Sequence, residues 1–102
     1  MKKIPVLIYR RVEKYLNEEV SDKDRAKIFA GIRMMQVGDY SAVFIKTLRG
    51  PIRELIEKFH RLLFFAYDSK IHFVSGFRKK SAKTPKKELE FAEQVYKQVK
   101  KP

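Results

Sequence analysis

The stretch HRLLFFAYDSKIHFVSGF, residues 60–77, predicts the centre of the fold. Its first half, His60 to Tyr67, is apolar at nearly every position, which is typical of a central strand covered on both faces. Asp68-Ser69 follows as a two-residue connection, so Lys70 to Phe77 is expected to return as the antiparallel neighbour. Counting outward from this turn brings Arg61, at the start of the first strand, close to residue 76.

Two shorter stretches before this hairpin predict further strands. Ala42 to Leu48 and Ile52 to Phe59 are rich in β-branched and aromatic residues, and the turn signal Arg49-Gly50-Pro51 separates them. Near the chain start, Ile4 to Tyr9 also favours a strand, and Pro5 suits a sheet edge because it lacks a backbone donor. Four consecutive strands and one edge strand are therefore expected.

Helical patterns lie on both sides of these strands. A short amphipathic helix from Val12 to about Glu19 precedes a second helix, which begins after the N-cap Ser21 and ends near Val37. We expect these two helices to form an antiparallel hairpin. A last helix is expected to begin at Thr84-Pro85, with Thr84 as N-cap. The apolar residues that would pack this helix on the sheet are Leu89, Ala92, Tyr96 and Val99. The predicted fold is α+β: an N-terminal strand and helical hairpin, then an antiparallel β-meander and a C-terminal helix.

Length and composition narrow the class of protein. The chain has 102 residues, of which 44% are hydrophobic and 13% aromatic, so we expect one folded domain spanning residues 1–102. The absence of cysteine excludes disulfide scaffolds, thiolate zinc sites and cysteine nucleophiles. The apolar runs are far shorter than the ~20 residues of a membrane span, and no signal-peptide cleavage site follows the basic start. We therefore expect a cytoplasmic protein with no membrane contact.

The charge of the chain indicates a polyanionic partner. Lys and Arg number 24 against 12 Asp and Glu, which gives a formal net charge of +12. The segment RKKSAKTPKK, residues 78–87, holds six basic residues in ten and no acid. Such a potential attracts nucleic acid above all, with an acidic membrane surface or an acidic protein as alternatives.

The predicted hairpin would gather cations at one edge of the sheet. Arg61 opens one strand, and Lys79 and Lys80 directly follow the end of the next, so the three can surround a single phosphate. Further basic residues from the neighbouring strands and the following loop could bind RNA; they are Lys46, Arg49, Arg53, Lys58, Arg78 and Lys83.

Such a cluster has the chemistry to cleave RNA through its own 2′-hydroxyl group, with no metal and no cofactor. Cations stabilise the charge that develops on phosphorus, and a lysine among other cations can shuttle a proton near neutral pH. His60 and His72 are not spaced as a metal pair, and each is expected to be a structural or surface residue. The sequence has no glycine-rich phosphate loop or nucleophile elbow, and the phenylalanines of the hairpin are expected to be core.

Residues 46–92 resemble the phage-derived branch of the RelE/HigB toxins of bacterial type II toxin–antitoxin systems. The specific motif is Gly76-Phe77, several lysines, and then Lys83-Thr84-Pro85 before a helix that carries Glu88. The Arg61 of HRLLFF matches an arginine that opens the same strand in the family, and KTLRG also fits.

The resemblance implies a toxin that enters the ribosomal A site and cleaves translated mRNA without a metal. It also implies a cognate antitoxin, usually a small helix-turn-helix protein that neutralises the toxin and represses the shared operon. Carried over to this chain, Arg61 would stabilise the phosphate, Lys79 and Lys80 would take part in catalysis, and Lys83 would contact RNA.

One position departs from the family pattern. Many relatives carry arginine after the Glu-Leu of the preceding strand, where this chain has Ile56. Three readings follow: a ribosome-dependent endoribonuclease, a catalytically weak or inactive RNA- or ribosome-binding protein of the same fold, and a module whose cations bind an acidic protein. If that arginine helps to hold RNA, its absence weakens cleavage in this chain, or Arg53 or Lys58 takes its place.

Overall fold

The computed structural model describes residues 3–101, which form three helices and a five-stranded mixed sheet. The elements in chain order are β1 (Val6–Ile8), α1 (Arg10–Glu19), α2 (Asp22–Gln36), β2 (Phe44–Arg49), β3 (Ile52–Glu57), β4 (His60–Tyr67), β5 (Lys70–Arg78) and α3 (Lys86–Lys100). The strands lie in the order β1-β5-β4-β3-β2. The predicted α+β plan is confirmed, with β4 at the centre and the Pro5-containing segment at one edge.

The hairpin of β4 and β5 has the predicted turn and a register that differs by one residue at its far end. Asp68 and Ser69 have φ angles of 53° and 59°, the left-handed pair that a type I′ turn requires. Tyr67 pairs with Lys70 as predicted, but Arg61 pairs with Phe77 and not with residue 76. The cause is a bulge between Leu63 and Phe64, where β5 carries one extra residue.

Two apolar cores cover the two faces of the sheet. On the first face, α1 and α2 pack against residues of alternate strand positions such as Leu62 and Phe64. On the second face, α3 packs against the intervening positions, including Leu63 and Phe65. This alternation gives each strand residue a definite face, which we call the α1/α2 face or the α3 face. His60 to Phe65 are all buried, as expected for a strand covered on both sides.

The helix starts confirm one predicted cap and correct the other. Ser21 caps α2, since its Oγ accepts a hydrogen bond of 3.2 Å from the Asp24 amide. Thr84 does not cap α3; Pro85 is the N-cap residue and the helix begins at Lys86. The Thr84 hydroxyl donates instead to Glu54 Oε2 at 2.8 Å, because that buried carboxylate needs a donor.

Most element ends lie within two residues of their predicted positions. β1 and β3 are shorter than predicted, and β3 stops at Glu57 because Lys58, with φ 54°, and Phe59 form the turn into β4. The predicted pair of helices has only Val20 and Ser21 between its members. Among residues 3–101, no helix is long and apolar enough to cross a membrane.

Candidate nucleic-acid interface

Arg61 lies on the α3 face of β4, at the end of the sheet where β4 begins and β5 finishes. Arg61 as a whole is only 7% exposed. Nη1 donates to two backbone carbonyls, those of Lys58 at 2.6 Å and His60 at 2.9 Å. Its Nε has no hydrogen-bond partner among the described residues and lies 3.7 Å from Glu54 Oε1. The guanidinium is therefore fixed on one side and retains an unsatisfied donor on another.

Glu54 is a site residue that the sequence reasoning missed. It is 4% exposed, lies on β3, and its two oxygens face Arg61 Nε and the Thr84 hydroxyl. The sequence of the strand held a signal for this residue. Ile52, Glu54 and Ile56 occupy every second position and therefore share one face of the sheet. An acid between two apolar residues on a buried face needs a cation or a hydrogen-bond donor as partner. Glu54 therefore joins Arg61 to the end of the basic loop that precedes α3.

The predicted lysines Lys79 and Lys80 directly follow the end of β5, at the same end of the sheet as Arg61. The Lys79 amide donates to the Phe59 carbonyl at 2.7 Å, which extends the β4–β5 ladder by one pair and sets Lys79 diagonally from Arg61. Lys80 is exposed and lines a cleft with Phe77, Arg78 and Glu88 and with Tyr15 and Glu19 of α1; Arg61 is not part of this cleft.

Two further predicted RNA contacts flank the same place. Lys46 on β2 is exposed and is the cross-strand partner of Glu54, so it shares the α3 face. Lys83 is exposed on the loop of residues 79–85, one residue before the Thr84 that binds Glu54. Together, Arg61, Lys46, Lys79, Lys80 and Lys83 form what we call the cationic end of the sheet.

Four other predicted RNA contacts lie outside the cationic end. Arg49 forms a two-pronged ion pair with Glu93 of α3, at 2.9 and 2.7 Å, near the opposite end of β3. Arg53 lies on the α1/α2 face, in a cleft with Phe64. The Lys58 ammonium binds a carboxylate on that same face. Arg78 stacks its guanidinium 3.8 Å above the Phe59 ring.

Ile56 is the direct cross-strand partner of Arg61. The chain thus has an aliphatic residue directly opposite Arg61 on the neighbouring strand, where the family resemblance implies a second arginine. Neither Arg53 nor Lys58 replaces this charge, because the side chains of both lie on the other face. The cationic end therefore has one arginine beside one carboxylate.

A buried polar network lies directly behind Arg61, on the α1/α2 face. His60 is 2% exposed; its Nδ1 is 2.6 Å from the Tyr15 hydroxyl and its Nε2 is 3.2 Å from Asp24 Oδ2. The other Asp24 oxygen lies 2.9 Å from Lys58 Nζ. The hydrogen bond from Lys58, with help from His60, lowers the pKa of Asp24, and burial raises the pKa of Tyr15 to about 12.

The second histidine lies elsewhere and has a structural environment. His72 is 5% exposed, stacks on Phe65 and has Nδ1 3.0 Å from the Tyr9 hydroxyl, on the α3 face. Burial lowers its pKa. Within residues 3–101, no group of three His, Cys, Asp or Glu side chains could hold a metal ion. Both histidines are buried, so neither is the surface residue that the sequence allowed as one of two expectations.

Fold and site together define a class: a small, basic α+β protein of the RelE type, with a cationic end on its sheet. A comparison with protein-family models identifies the family within this class. The model of the phage-derived Gp49-like proteins (DUF891) matches residues 15–97, most of the chain. The chain belongs to that family, which is a family of RelE/HigB-like toxins and implies a cognate antitoxin. No curated protein matches the chain at a significant level.

Proposed function

We propose that this toxin-family protein is an endoribonuclease that cleaves mRNA in the ribosomal A site. The observation that carries the proposal is Arg61: its Nη1 is bound to two carbonyls, and its Nε has no hydrogen-bond partner among the described residues. A fixed cation with a spare donor is the preorganised kind of group that stabilises a developing phosphorane charge. Lys46 and Lys83 flank it as contacts to neighbouring phosphates.

The reaction uses the RNA as its own nucleophile. The 2′-oxygen forms a bond to phosphorus while the bond to the 5′-oxygen breaks, which leaves a 2′,3′-cyclic phosphate and a 5′-hydroxyl. The 2′-hydroxyl loses a proton to a base, and the departing 5′-oxygen takes up a proton from an acid. Arg61 stabilises the equatorial oxygens, and Lys79 and Lys80 are the groups proposed for proton transfer.

Glu54 determines how the phosphate reaches Arg61. Its Oε1 lies 3.7 Å from Nε, an atom that is itself buried. An RNA phosphate must therefore compete with this carboxylate, and the positive charges of Lys46, Lys79 and Lys83 favour the phosphate. We expect binding that weakens steeply with salt, because each phosphate contact releases counterions.

The proposed partners follow from the family. We propose a cognate antitoxin of the small helix-turn-helix type, which binds the toxin and neutralises it. A cytoplasmic location follows from the same proposal, since translated mRNA is the substrate.

A second candidate function is RNA or ribosome binding without cleavage. It is favoured by Ile56, which gives Arg61 an aliphatic neighbour where relatives have a second arginine, and by the ion pair of Arg61 with Glu54. A protein of this kind would occupy the A site and block translation. It would leave the mRNA intact.

Primer extension on an mRNA translated in a reconstituted system separates the two candidates. The wild-type protein should produce new 5′ ends only when ribosomes are present. Arg61→Ala should lower the cleavage rate by about 10²-fold or more, the loss expected when a transition-state donor is removed. Arg53→Ala is the matched control, since it removes an arginine from the other face.

Three results would each contradict one part of the proposal. Ribosome stalling without new ends supports the binding function. Equal cleavage without ribosomes contradicts the ribosome-dependent mechanism. Equal loss of activity in Arg53→Ala and Arg61→Ala contradicts the assignment of Arg61.

A further inference from the structure

We propose that Asp24 is a positioning residue for Arg61 and acts through Lys58 and His60, an inference that rests on the proposed function of Arg61. Asp24 belongs to α2 and lies on the α1/α2 face, whereas the Arg61 guanidinium lies on the α3 face. The two side chains do not meet. They are joined because the side chains of Lys58 and His60 bind Asp24, and the carbonyls of the same two residues bind Arg61 Nη1.

The first connection between Asp24 and Arg61 runs through Lys58, in the turn between β3 and β4. The conformation of this turn determines where the Lys58 carbonyl points. Lys58 has φ 54°, a left-handed conformation that is uncommon for a residue with a Cβ atom. Its ammonium reaches across to Asp24 Oδ1 at 2.9 Å while its carbonyl accepts from Arg61 Nη1 at 2.6 Å. The ion pair therefore holds the turn in the conformation that directs this carbonyl toward the guanidinium.

The His60 branch fixes the second carbonyl. Asp24 only accepts hydrogen bonds, so His60 Nε2 donates to it, and Nδ1 forms a hydrogen bond of 2.6 Å with the Tyr15 hydroxyl. The Tyr15 ring fits against the sheet because Gly76 lies beneath it; a Cβ atom at Gly76 would be 3.0 Å from Tyr15 Cδ2. With both ring nitrogens bound, His60 cannot rotate, and its carbonyl remains 2.9 Å from Arg61 Nη1.

A purely structural role does not account for this choice of residues. Apolar side chains already hold α1 and α2 on the sheet, and buried ion pairs are often no more stabilising than apolar residues of the same size. Buried polar networks restrict the movement of the groups that they bond. In this protein the network restricts the carbonyls of Lys58 and His60, which bind Arg61, the one arginine of the cationic end.

The molecule contains a matched control. His72 and Tyr9 form a similar tyrosine–histidine pair, which is partly buried, with the Tyr9 hydroxyl 3.0 Å from His72 Nδ1. This pair lies toward the other end of the hairpin, where His72 is the cross-strand partner of Phe65. Neither residue binds Arg61, so loss of this pair should leave the guanidinium unchanged.

The test is the NMR signal of the Arg61 guanidinium, compared in wild type, Asp24→Asn, Lys58→Asn and Tyr9→Phe. Asn tolerates the left-handed conformation, so Lys58→Asn removes the ammonium and keeps the turn. Lys58 is half exposed, so this variant should fold even if Asp24→Asn does not. The Arg61→Lys variant lacks this guanidinium, so the signal that disappears in its spectrum is the signal of Arg61. We expect a slowly rotating Nη1 group in wild type and Tyr9→Phe, and faster rotation in Lys58→Asn and Asp24→Asn.

Cleavage of translated mRNA is measured on the same variants. Displacement of a reacting group by about 1 Å can cost on the order of 100-fold in rate, so Lys58→Asn should lower the maximal rate by about tenfold or more and change mRNA affinity little. Unchanged Arg61 signals in a folded Lys58→Asn protein would overturn the positioning role, as would a loss in Tyr9→Phe as large as in Lys58→Asn. If wild type cleaves no mRNA, the proposed function fails, and the NMR comparison still decides whether Asp24 positions Arg61.

Discussion

Asp24 and Arg61 lie on opposite faces of the sheet, and both bind Lys58 and His60. The side chains of these two residues bind the Asp24 carboxylate, and their backbone carbonyls accept hydrogen bonds from Arg61. The β3–β4 turn is thus held from both sides by one carboxylate and one guanidinium. Because Lys58 and His60 contact both Asp24 and Arg61, a substitution of Asp24 should change the mobility of the Arg61 guanidinium. It should also change the stability of the whole domain.

Asp24 should make the stability of the protein depend on acid pH. Its folded pKa lies below the ordinary value of 3.8, chiefly because of the hydrogen bond from Lys58. A lowered folded pKa means that the stabilisation is present above 3.8 and is lost as pH falls through the folded pKa. Asp24→Asn should therefore be less stable than wild type at neutral pH, and the two stabilities should converge in strong acid.

Urea unfolding across this pH range measures the difference. Asp39→Asn is the control, because hydrogen bonds from Ser41 lower the pKa of Asp39 in the same direction at a place far from the turn. It should reproduce an acid dependence and leave the Arg61 signal intact. A constant gap between wild type and Asp24→Asn at every pH would contradict the prediction.

Ile56→Arg should increase cleavage. The new side chain would face Arg61 directly across the strand pair and supply the charge that the family resemblance implies at this position. A second cation beside the phosphate should raise the cleavage rate by about tenfold, less than a fully preorganised donor contributes. Two like charges in direct cross-strand contact should also destabilise the fold, by about 0.2–1 kcal/mol.

The control for this gain is Thr47→Arg. Thr47 lies on β2 in the cleft of the α1/α2 face, so the same charge is added away from Arg61. Thr47→Arg should leave the cleavage rate unchanged when Ile56→Arg raises it. Equal increases in both variants would mean that net charge, and not a second cation at Arg61, governs the reaction.

The sequence predicted the hairpin and its turn because apolar continuity and a two-residue connection are local signals. It placed Arg61 one residue from its true partner because the bulge after Leu63 depends on tertiary packing and leaves no local signal. The basic residues were predicted as a group, yet Arg49 and Lys58 bind acids far away in sequence, Glu93 and Asp24. Composition reports the number of charges, and only the fold shows which of them already have partners.

Lys46 and Arg49 should differ in RNA binding even though both lie on β2. Lys46 faces the cationic end opposite Glu54, whereas Arg49 is bound by both oxygens of Glu93. Lys46→Ala should lower the slope of log affinity against log salt by about 1, the value for one phosphate contact. Arg49→Ala should leave that slope unchanged. Fluorescence anisotropy with a short labelled RNA measures both, and equal slopes in the two variants would contradict the assigned interface.

Thr84→Val should loosen the basic loop without shortening α3. The hydroxyl of Thr84 donates to Glu54 and does not cap the helix, whose first turn bonds to the Pro85 carbonyl. Valine keeps the shape and leaves a buried carboxylate oxygen without its donor, which should cost about 1–3 kcal/mol in urea unfolding. Amides of residues 79–84 should exchange hydrogen faster, while those of α3 beyond its first turn should keep their protection. Fraying at Lys86–Leu89 with an unchanged loop would instead mean that Thr84 acts as the helix cap. Loss of RNA cleavage in Thr84→Val, with α3 intact, would show that the anchoring of this loop at Glu54 matters for the reaction as well as for the fold.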